Sequence, residues 1–339
     1  MSGNVLILGE PEVSAILADR ELELMDTVAQ AYLAHRNGAT SLTHSSFLRF
    51  PDAANRIIAL PAYVGGDFEV AGIKWIASFP GNYQRGLARA SAVIILNSTE
   101  TGRPVAILEG SVISAKRTAA SAVLAARSIH GHQPHGPIGI IGCGAISFEI
   151  VRFLRAAYPA VTDFIICDID PARAERFKHD CVNWFPGIDI EVTRDTHNVL
   201  RSASLISIAT TALKPHLSDL SACQPGTTIL HISLRDIAAQ VILNVDNVTD
   251  DVDHACRAET SLHLAEMMTG NRDFIRCTLA DILAGAAESR CDANGISVFS
   301  PFGLGVLDLA LAKLVFDVAS ATHAGTTIDS FLPAAAPLQ

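Results

Sequence analysis

The apolar positions divide the chain into two parts with different periodicities. In the first part, helical spacing over residues 22–34 is followed by strand-like runs at 56–64, 70–79 and 90–98. An Ala-rich segment over 112–128 then regains helical character. This mixture of helices and consecutive strands predicts a domain of the α+β class.

The second part alternates short apolar strands with amphipathic helices. One of these helices is predicted to begin where Asp170 serves as N-cap and Pro171 as the first helical residue. Because strands that alternate with helices form right-handed βαβ units, this part predicts a doubly wound parallel sheet. The predicted strands cover residues 138–142, 163–168, 204–210, 227–233 and 247–251.

The change of pattern coincides with residues 130–137, HGHQPHGP, which contain no strong helix or strand former and are predicted to be a linker. A long apolar helix over 303–321 lies beyond the parallel-sheet pattern, and we expect it to return to the first domain. The predicted domains are therefore 1–129 together with 302–339, and 130–301. The predicted fold class is α/β, with a Rossmann domain beside an α+β domain.

Composition excludes several classes of protein. The chain has 339 residues, of which 49% are hydrophobic and 18% are charged, and its formal net charge is −10. This apolar content excludes a disordered chain, and the acidic balance argues against a general nucleic-acid binder. The length exceeds that of one ordinary core and suits about two domains.

Neither secretion nor membrane insertion is predicted. The N-terminal sequence lacks the basic region and the cleavage site of a secretory signal, and no stretch of about 20 residues is continuously apolar. The seven cysteines are scattered and form no C-x-x-C pair, which is typical of reduced thiols in a cytoplasmic protein. A catalytic cysteine is disfavoured, because none lies in an activating context.

The first βα junction of the second part is a candidate dinucleotide site. Gly142, Gly144 and Ser147 form a G-x-G-x-x-S pattern between a predicted strand and a predicted helix. Glycines permit a tight turn and the close approach of a pyrophosphate, which the helix N-terminus attracts. Asp168 ends the next strand, 168 − 147 = 21 residues after Ser147, and a carboxylate there favours NAD over NADP. The alternatives are a Rossmann-like domain without a cofactor, and Asp170 in place of Asp168.

Positive charge is concentrated in the first part. The window from His44 to Arg117 holds eight Lys or Arg and five Asp or Glu residues, a net charge of 8 − 5 = +3 in a chain of −10. Lys74 lies within the apolar run VAGIKWIASF, and Arg117 opens the Ala-rich helix. Both side chains bind carboxylates, so this region predicts an anionic substrate with more than one carboxylate. Ordinary surface charges are the alternative interpretation.

Asp236 follows the predicted strand ILHIS, at the carboxyl end where ligands bind in such sheets. A carboxylate in that place is either a general base or a cap of the strand end. The turn SPFGLG, over 300–305, either touches the nicotinamide or caps the last helix.

Two further clusters could suggest metals, but no metal site is predicted. One consists of His130, His132 and His135, which are interpreted as flexible loop histidines because no fourth ligand is near. The other consists of Asp246, Asp250, Asp251 and Asp253. These aspartates lack the spacing and the glycine of an EF-hand, so a solvated acidic loop is the preferred interpretation.

Several segments together resemble the ornithine cyclodeaminase/mu-crystallin family over nearly the whole chain. They occur in the family's order and are KWIASFPGN, TGRPVAILEGSVISAKRTAASAVLA, IGIIGCGAIS, ISIATT, the Asp236 strand end and FSPFGLGVLDLALA. The resemblance implies a Rossmann NAD-binding domain plus an α+β substrate and dimerisation domain, whose sheet is shared across a homodimer.

Within the family, RASAVIILN, HISLRD and DNVTDDVDHACRAETSLHLAE are similar to the branch that makes L-2,3-diaminopropionate for siderophores or antibiotics. That branch oxidises the secondary amine N-((2S)-2-amino-2-carboxyethyl)-L-glutamate with NAD and hydrolyses the imine to 2-oxoglutarate and L-2,3-diaminopropionate. Leu234-Arg235-Asp236 replaces the family's usual Ala-Asp pattern, which argues against ornithine as substrate. The alternatives are ornithine cyclodeaminase, alanine dehydrogenase, ketimine reductase or a non-catalytic binding protein.

The resemblance also implies roles for individual residues. Lys74 and Arg117 would bind one substrate carboxylate, and Arg49 and Arg89 are candidates for the others. Asp236 and Lys74 are the catalytic candidates, with Asp236 activating the water that attacks the imine. The cofactor-binding candidates are Gly142, Gly144, Ala145, Ile146 and Ser147 for the pyrophosphate, Asp168 for the ribose, and Thr210 and Thr211 along the cofactor.

Overall fold

The computed structural model describes residues 3–52, 54–131 and 133–333. The chain forms two compact units, which are residues 1–117 with 304–339 (unit 1) and residues 118–303 (unit 2). The boundary between Arg117 and Thr118 lies inside the helix that spans residues 111–125. Residues 118–129 and 302–303, which the sequence analysis grouped with the first domain, therefore belong to unit 2.

The helices and strands follow the two-part pattern of the sequence. Unit 1 begins with β1 (Val5–Leu8), α1 (Glu10–Leu17), α2 (Glu21–Arg36), β2 (Thr40–Leu42), β3 (Ser46–Arg49), β4 (Arg56–Val64), β5 (Val70–Ser78), β6 (Ala90–Asn97) and β7 (Pro104–Glu109). Helix α3 (Ser111–Ala125) starts in unit 1 and ends in unit 2. Unit 2 follows with β8 (Ile138–Ile141), α4 (Ala145–Ala157), β9 (Asp163–Cys167), α5 (Pro171–Trp184), β10 (Asp189–Thr193), α6 (Thr196–Ser202), β11 (Leu205–Ile208), β12 (Thr228–His231), α7 (Ala239–Ile242), β13 (Asp246–Thr249), α8 (Val252–Ala255), α9 (Ser261–Thr269), β14 (Ile275–Thr278), α10 (Leu279–Leu283) and β15 (Ser297–Phe299). The chain returns to unit 1 with α11 (Gly305–Thr322) and β16 (Thr326–Ile328).

The strands predicted in the first part are confirmed as β4, β5 and β6, and the predicted helices as α2 and α3. The pattern did not predict β7, which follows the turn at Gly102, the edge strand β10, or the short strands β1, β2, β3, β14, β15 and β16. The prediction of a linker at His130 is wrong. Residues Ala126–His130 form a π-helical turn that continues α3.

Unit 1 contains an eight-stranded sheet in the order β16-β1-β7-β6-β5-β4-β2, with β3 also paired to β4. All pairs are antiparallel except β1 with β7. Helix α11 packs against α2 and over β4 and β5. The register aligns Leu60, Lys74 and Ile94 across three strands, and all three side chains are buried.

Unit 2 contains eight parallel strands in the order β10-β9-β8-β11-β12-β15-β13-β14. The chain starts at β8, moves outward to β10 and then returns to β11 on the other side of β8. Ligands of doubly wound sheets bind at the carboxyl ends of the strands beside such a reversal of strand order. The parallel pairing and the reversal of strand order at β8 confirm the predicted doubly wound parallel sheet.

All seven cysteines are free; Cys143, Cys167, Cys181 and Cys256 are buried, whereas Cys291 is exposed. Burial raises the pKa of the Cys143, Cys181 and Cys223 thiols, which opposes thiolate formation. In the described part of the chain, no helix combines the length and the apolar character needed to span a bilayer.

Candidate active site

The glycine loop between β8 and α4 has the geometry of a nucleotide cradle. Gly142 has φ +92°, and a Cβ there would lie 2.5 Å from the carbonyl oxygen of Ala209, so the loop requires glycine at this position. Gly144 has φ −103°, which any residue adopts, and no atom of the described residues, apart from its chain neighbours, lies within 4 Å of the place its Cβ would occupy. Chain packing therefore does not explain Gly144, whereas the close approach of another molecule does.

Helix α4 begins directly after this loop, with Gly144 as N-cap. The backbone N–H groups of Ala145 and Ile146 belong to its first turn, where an anion is attracted. Ser147 is fully buried, and its hydroxyl donates to the carbonyl of Gly142. The Ser147 side chain therefore closes the loop, and only its backbone could meet a phosphate.

Asp168 lies at the carboxyl end of β9 and is fixed beside the glycine loop. Its Oδ2 accepts the backbone N–H of Cys143 at 2.7 Å, and its Oδ1 accepts that of Asp170 at 2.9 Å. Each carboxylate oxygen has a second lone pair with which it could accept a ribose hydroxyl. Asp170 accepts from the Ala172 N–H at 3.0 Å, which confirms it as the N-cap of α5.

Asp236 lies in a turn after β12 and has no exposed surface. The predicted strand is too long, because β12 ends at His231 and Leu234 then adopts φ +69°. Thr210 donates its hydroxyl to Oδ1, and Ser233 donates its hydroxyl to Oδ2 at 2.5 Å. The Thr210 side chain thus contacts Asp236 directly, and Thr211 is exposed.

Two histidines that the sequence analysis missed also surround Asp236. His216 Nε2 lies 3.2 Å from Oδ1, and His231 Nε2 lies 3.3 Å from Oδ2. Burial raises the pKa of Asp236, but the His231 imidazole and the Ser233 and Thr210 hydroxyls lower it more, so the net shift is strongly downward. The carboxylate is therefore ionised at neutral pH, and its partners are side chains rather than the backbone N–H groups of a strand cap.

Unit 1 contains a second buried charged cluster. Lys74 Nζ lies 2.6 Å from Asp308 Oδ2 and 3.2 Å from the Ser114 hydroxyl. Arg117 Nε donates to the other oxygen of Asp308 at 3.0 Å. Lys74 is 2% exposed and Asp308 is fully buried. Asp308 was not predicted as a site residue, although it is an isolated charge in the apolar run of α11.

The cluster of Lys74, Arg117 and Asp308 carries two positive charges and one negative charge. Burial and the neighbouring Arg117 together lower the pKa of Lys74 to about 8, although Asp308 opposes both effects. Because a buried charge is costly without a partner, one additional carboxylate would complete the balance. This arrangement has the charge and the donors of a carboxylate-binding site.

Three arginines lie at one end of the unit 1 sheet. Arg49 on β3 pairs across the ladder with Arg56 on β4, which in turn lies opposite Ser78 on β5. Arg49 is exposed, with its guanidinium 5.7 Å from the centre of the Phe47 ring. Arg89 immediately precedes β6, at the same end of the sheet, since its carbonyl accepts the N–H of Phe79.

The Arg89 side chain is partly buried, and burial lowers its pKa. In the described part of the chain, its Nε has no hydrogen-bond partner. A guanidinium with such an orphaned donor is suited to an anionic ligand. Arg56 was not singled out from the sequence, because nothing in its local pattern distinguishes it.

The histidines considered as metal ligands in the sequence do not form a metal site among the described residues. His130 is buried and bonds the Thr228 hydroxyl at 3.1 Å, so it is not a flexible loop histidine; His135 is exposed, and His132 lies outside the described residues. No group of three metal-binding side chains occurs among the residues described.

The interpretation of the four aspartates as a solvated loop is wrong for two of them. Asp246 pairs with Arg276 at 2.6 Å, and the buried Asp250 accepts the N–H groups of Phe302 and Gly303. Asp250 therefore fixes the turn before α11, which accounts for that carboxylate without a metal ion.

Known proteins resemble the chain along its whole length. The model of the ornithine cyclodeaminase/mu-crystallin family matches residues 12–323. An N-((2S)-2-amino-2-carboxyethyl)-L-glutamate dehydrogenase of Staphylococcus aureus is 26% identical over 338 residues, which cover 98% of this chain and 100% of that protein.

Solved structures share the fold. A Thermococcus litoralis Delta(1)-pyrroline-2-carboxylate reductase in complex with NADH and L-proline has a TM-score of 0.88 at 23% identity, with 95% of this chain and 99% of that chain covered. An archaeal alanine dehydrogenase dimer with bound NAD has a TM-score of 0.86 at 25% identity, with 97% and 100% covered.

Proposed function

The chain belongs to the ornithine cyclodeaminase/mu-crystallin family, and on that premise we propose that it oxidises N-((2S)-2-amino-2-carboxyethyl)-L-glutamate with NAD. The resulting imine is hydrolysed to 2-oxoglutarate and L-2,3-diaminopropionate, a building block for a siderophore or an antibiotic. The observation that carries the proposal is the buried cluster of Lys74, Arg117 and Asp308, which has one positive charge in excess.

The cations of unit 1 suit this substrate, which has three carboxylates. Lys74 and Arg117 bind one carboxylate, whose negative charge balances their cluster. Arg49 and Arg89 bind the others, and Arg56 joins them because it shares the end of the sheet with Arg49. Alanine or proline, with one carboxylate, would leave these arginines without a function.

NAD fits the loop of unit 2. Gly142, Gly144 and the first turn of α4 hold the pyrophosphate, and Asp168 accepts hydrogen bonds from the adenosine ribose. When bound, NAD supplies the hydride acceptor for the glutamyl Cα–H. Asp236 is the carboxylate that promotes the attack of water on the imine, as an ionised group held by four side chains.

The activity is tested by incubating the protein with NAD and the amino-carboxyethyl glutamate, while NADH absorbance and 2-oxoglutarate are measured. We expect one 2-oxoglutarate for each NADH. NADH formation from alanine but not from this substrate would identify an alanine dehydrogenase instead, and proline from ornithine would identify a cyclodeaminase.

Lys74→Met tests the carboxylate cluster, because it leaves Arg117 and Asp308 as a balanced pair. The loss of a charged hydrogen bond, about 1.5–3 kcal/mol, should raise KM by roughly 10- to 150-fold. The matched control is Lys313→Met, since Lys313 pairs with Asp317 on the outer part of α11. A KM for Lys74→Met within threefold of the wild-type value would contradict the assigned role.

We further propose that the chain forms a homodimer through the unit 1 sheet. On the face opposite the Leu60–Lys74–Ile94 row lie Ile73, Trp75 and their apolar neighbours, and Trp75 is 41% exposed. Trp75→Glu should therefore yield a monomer in sedimentation velocity, whereas Trp184→Glu should not. A wild-type monomer at micromolar concentration would refute the dimer.

A further inference from the structure

Asp236 is poorly suited to take a proton from water by itself. The carboxyl group has no exposed surface, and each of its oxygens already faces two side-chain donors or ring nitrogens. Its pKa is held well below the usual range, mainly because the His231 imidazole and two hydroxyls outweigh the effect of burial. A weakly basic carboxylate that water cannot reach is an inefficient general base.

His216 connects this buried carboxylate to the surface. Its Nε2 lies 3.2 Å from Asp236 Oδ1, and its side chain is 44% exposed. Among the described residues, the hydrogen bond of its ring to Asp236 runs through Nε2, and Nδ1 has no hydrogen-bond partner. An Nε2–H donated to Asp236 leaves the lone pair of Nδ1 available to accept a proton.

The backbone holds the imidazole in this position. The N–H groups of His216 and Leu217 both donate to the Asp236 carbonyl at 2.8 Å, and Ala238 N–H donates to the Leu217 carbonyl at 2.9 Å. These bonds form a short parallel bridge between Leu217 and Ile237. The loop that carries His216 is thus joined directly to the loop that carries Asp236.

His231 does not offer the same path. It is fully buried, its Nδ1 lies 3.1 Å from the Ser300 hydroxyl, and its Nε2 lies 3.1 Å from the backbone N–H of Asp236. Both ring nitrogens therefore have partners inside the protein, and His231 supports the turn around Asp236.

We propose, on the basis of the dehydrogenase function above, that Nδ1 of His216 accepts the proton of the water that attacks the imine, with Asp236 as its positioning residue. Loss of hydride from the neutral secondary amine leaves a protonated imine. A C–O bond forms as the water O–H bond breaks, the proton goes to Nδ1, and the C=N π pair moves to nitrogen. The imidazolium returns the proton to nitrogen, the C–N bond breaks with its electron pair on nitrogen to release the neutral amine, and the hydroxyl proton passes to the imidazole and then to solvent. Asp236 stabilises the imidazolium by its charge.

Kinetics of His216→Gln separate this step from hydride transfer. In a single turnover, NADH should form with an amplitude like that of the wild type, while 2-oxoglutarate release slows by roughly 100-fold or more. Added imidazole should restore part of the activity of His216→Ala, because the site is exposed. His179→Gln, on the exposed surface of α5, is the matched control and should behave like the wild type. Release of 2-oxoglutarate by His216→Gln within threefold of the wild-type rate would overturn the proposal.

A second measurement does not depend on the substrate. In ¹⁵N-histidine NMR spectra, the signal that disappears in His216→Gln should show the Nε2–H tautomer in the wild type and lose this preference in Asp236→Asn. The Nδ1–H tautomer in the wild type would refute the pairing. Wild-type protein that forms no NADH from the amino-carboxyethyl glutamate would overturn the proposed function instead, and the tautomer would still decide the pairing of His216 with Asp236.

Discussion

Replacing Asp308 by Asn should destabilise unit 1 strongly. The substitution preserves the shape of the side chain but removes the negative charge that lies between Lys74 Nζ and Arg117 Nε. Two cations then remain in a buried cluster without a counter-charge. Removal of one partner from a buried ion pair costs about 3–5 kcal/mol.

Lys74 limits this cost by releasing its proton. An unfolded lysine has a pKa of about 10.4, so a neutral Lys74 at pH 7 costs about 4.6 kcal/mol at 1.36 kcal/mol per pH unit. In the variant this cost falls by about 1.4 kcal/mol for each unit of rising pH. In the wild type, Lys74 stays protonated up to its pKa of about 8. Below that pH, the titration of Lys74 therefore does not change the free energy of unfolding of the wild-type protein. The deficit of the variant should therefore shrink by about 1.4 kcal/mol between pH 7 and 8 and stay constant above.

Urea unfolding followed by tryptophan fluorescence measures this deficit. The chain has two tryptophans, and Trp75 follows Lys74 on β5. Trp184→Phe in all variants therefore leaves Trp75 as the reporter of unit 1. Asp317→Asn is the matched control, because its carboxylate pairs with Lys313 on the exposed side of the same helix. This surface pair should be worth about 0.5 kcal/mol. A deficit for Asp308→Asn below about 1 kcal/mol at pH 7, or one that does not depend on pH between 7 and 8, would refute the charge-balance reasoning.

Three further outcomes follow from the site. KM for the polycarboxylate should rise about tenfold per pH unit above the Lys74 pKa of about 8, because that lysine loses its charge. The rise should vanish in Lys74→Arg, and a flat wild-type KM from pH 7 to 9.5 would contradict the prediction. Gly144→Ala should keep the melting temperature within a few degrees but weaken NAD binding at least tenfold, as measured by calorimetry. Gly142→Ala should lower the melting temperature, because its Cβ would meet the Ala209 carbonyl. Equal melting temperatures for the two variants would contradict these different roles of the glycines. Asp168→Ser should reduce the preference for NAD over NADP in kcat/KM by at least tenfold, and an unchanged ratio would exclude the ribose contact.

Sequence periodicity was sufficient for the parts of the fold that carry strong local patterns. The strands over 56–64 and 70–79 are long and apolar, and the structure places them almost residue for residue as β4 and β5. The short strands of unit 1 were missed, since their pairing depends on neighbours distant in sequence; β1, for example, pairs with both β7 and β16. The end of β12 was misplaced for a related reason, because tertiary bonds to Asp236 draw the following residues into a turn.

The candidate site shows a similar division. The glycine loop and Asp168 form one contiguous βαβ pattern, and local spacing was enough to group them. Thr210 also contacts Asp236, because adjacent parallel strands bring the ends of β11 and β12 together. Sequence spacing alone does not predict this contact.

The groups that the sequence analysis missed are mostly partners of groups that it found. Lys74 was noticed because it interrupts an apolar strand, and Asp308 interrupts an apolar helix in the same way, 234 residues later. A buried charge needs a counter-charge, so two isolated opposite charges in apolar runs of one domain are candidates for each other. The same reasoning applied to Asp236, at the end of a buried strand, directs attention to polar residues after the adjacent strand, where His216 lies. The need of a buried charge for a partner therefore makes Asp308 a candidate from the amino-acid sequence, whereas His216 is one of several polar residues after β11.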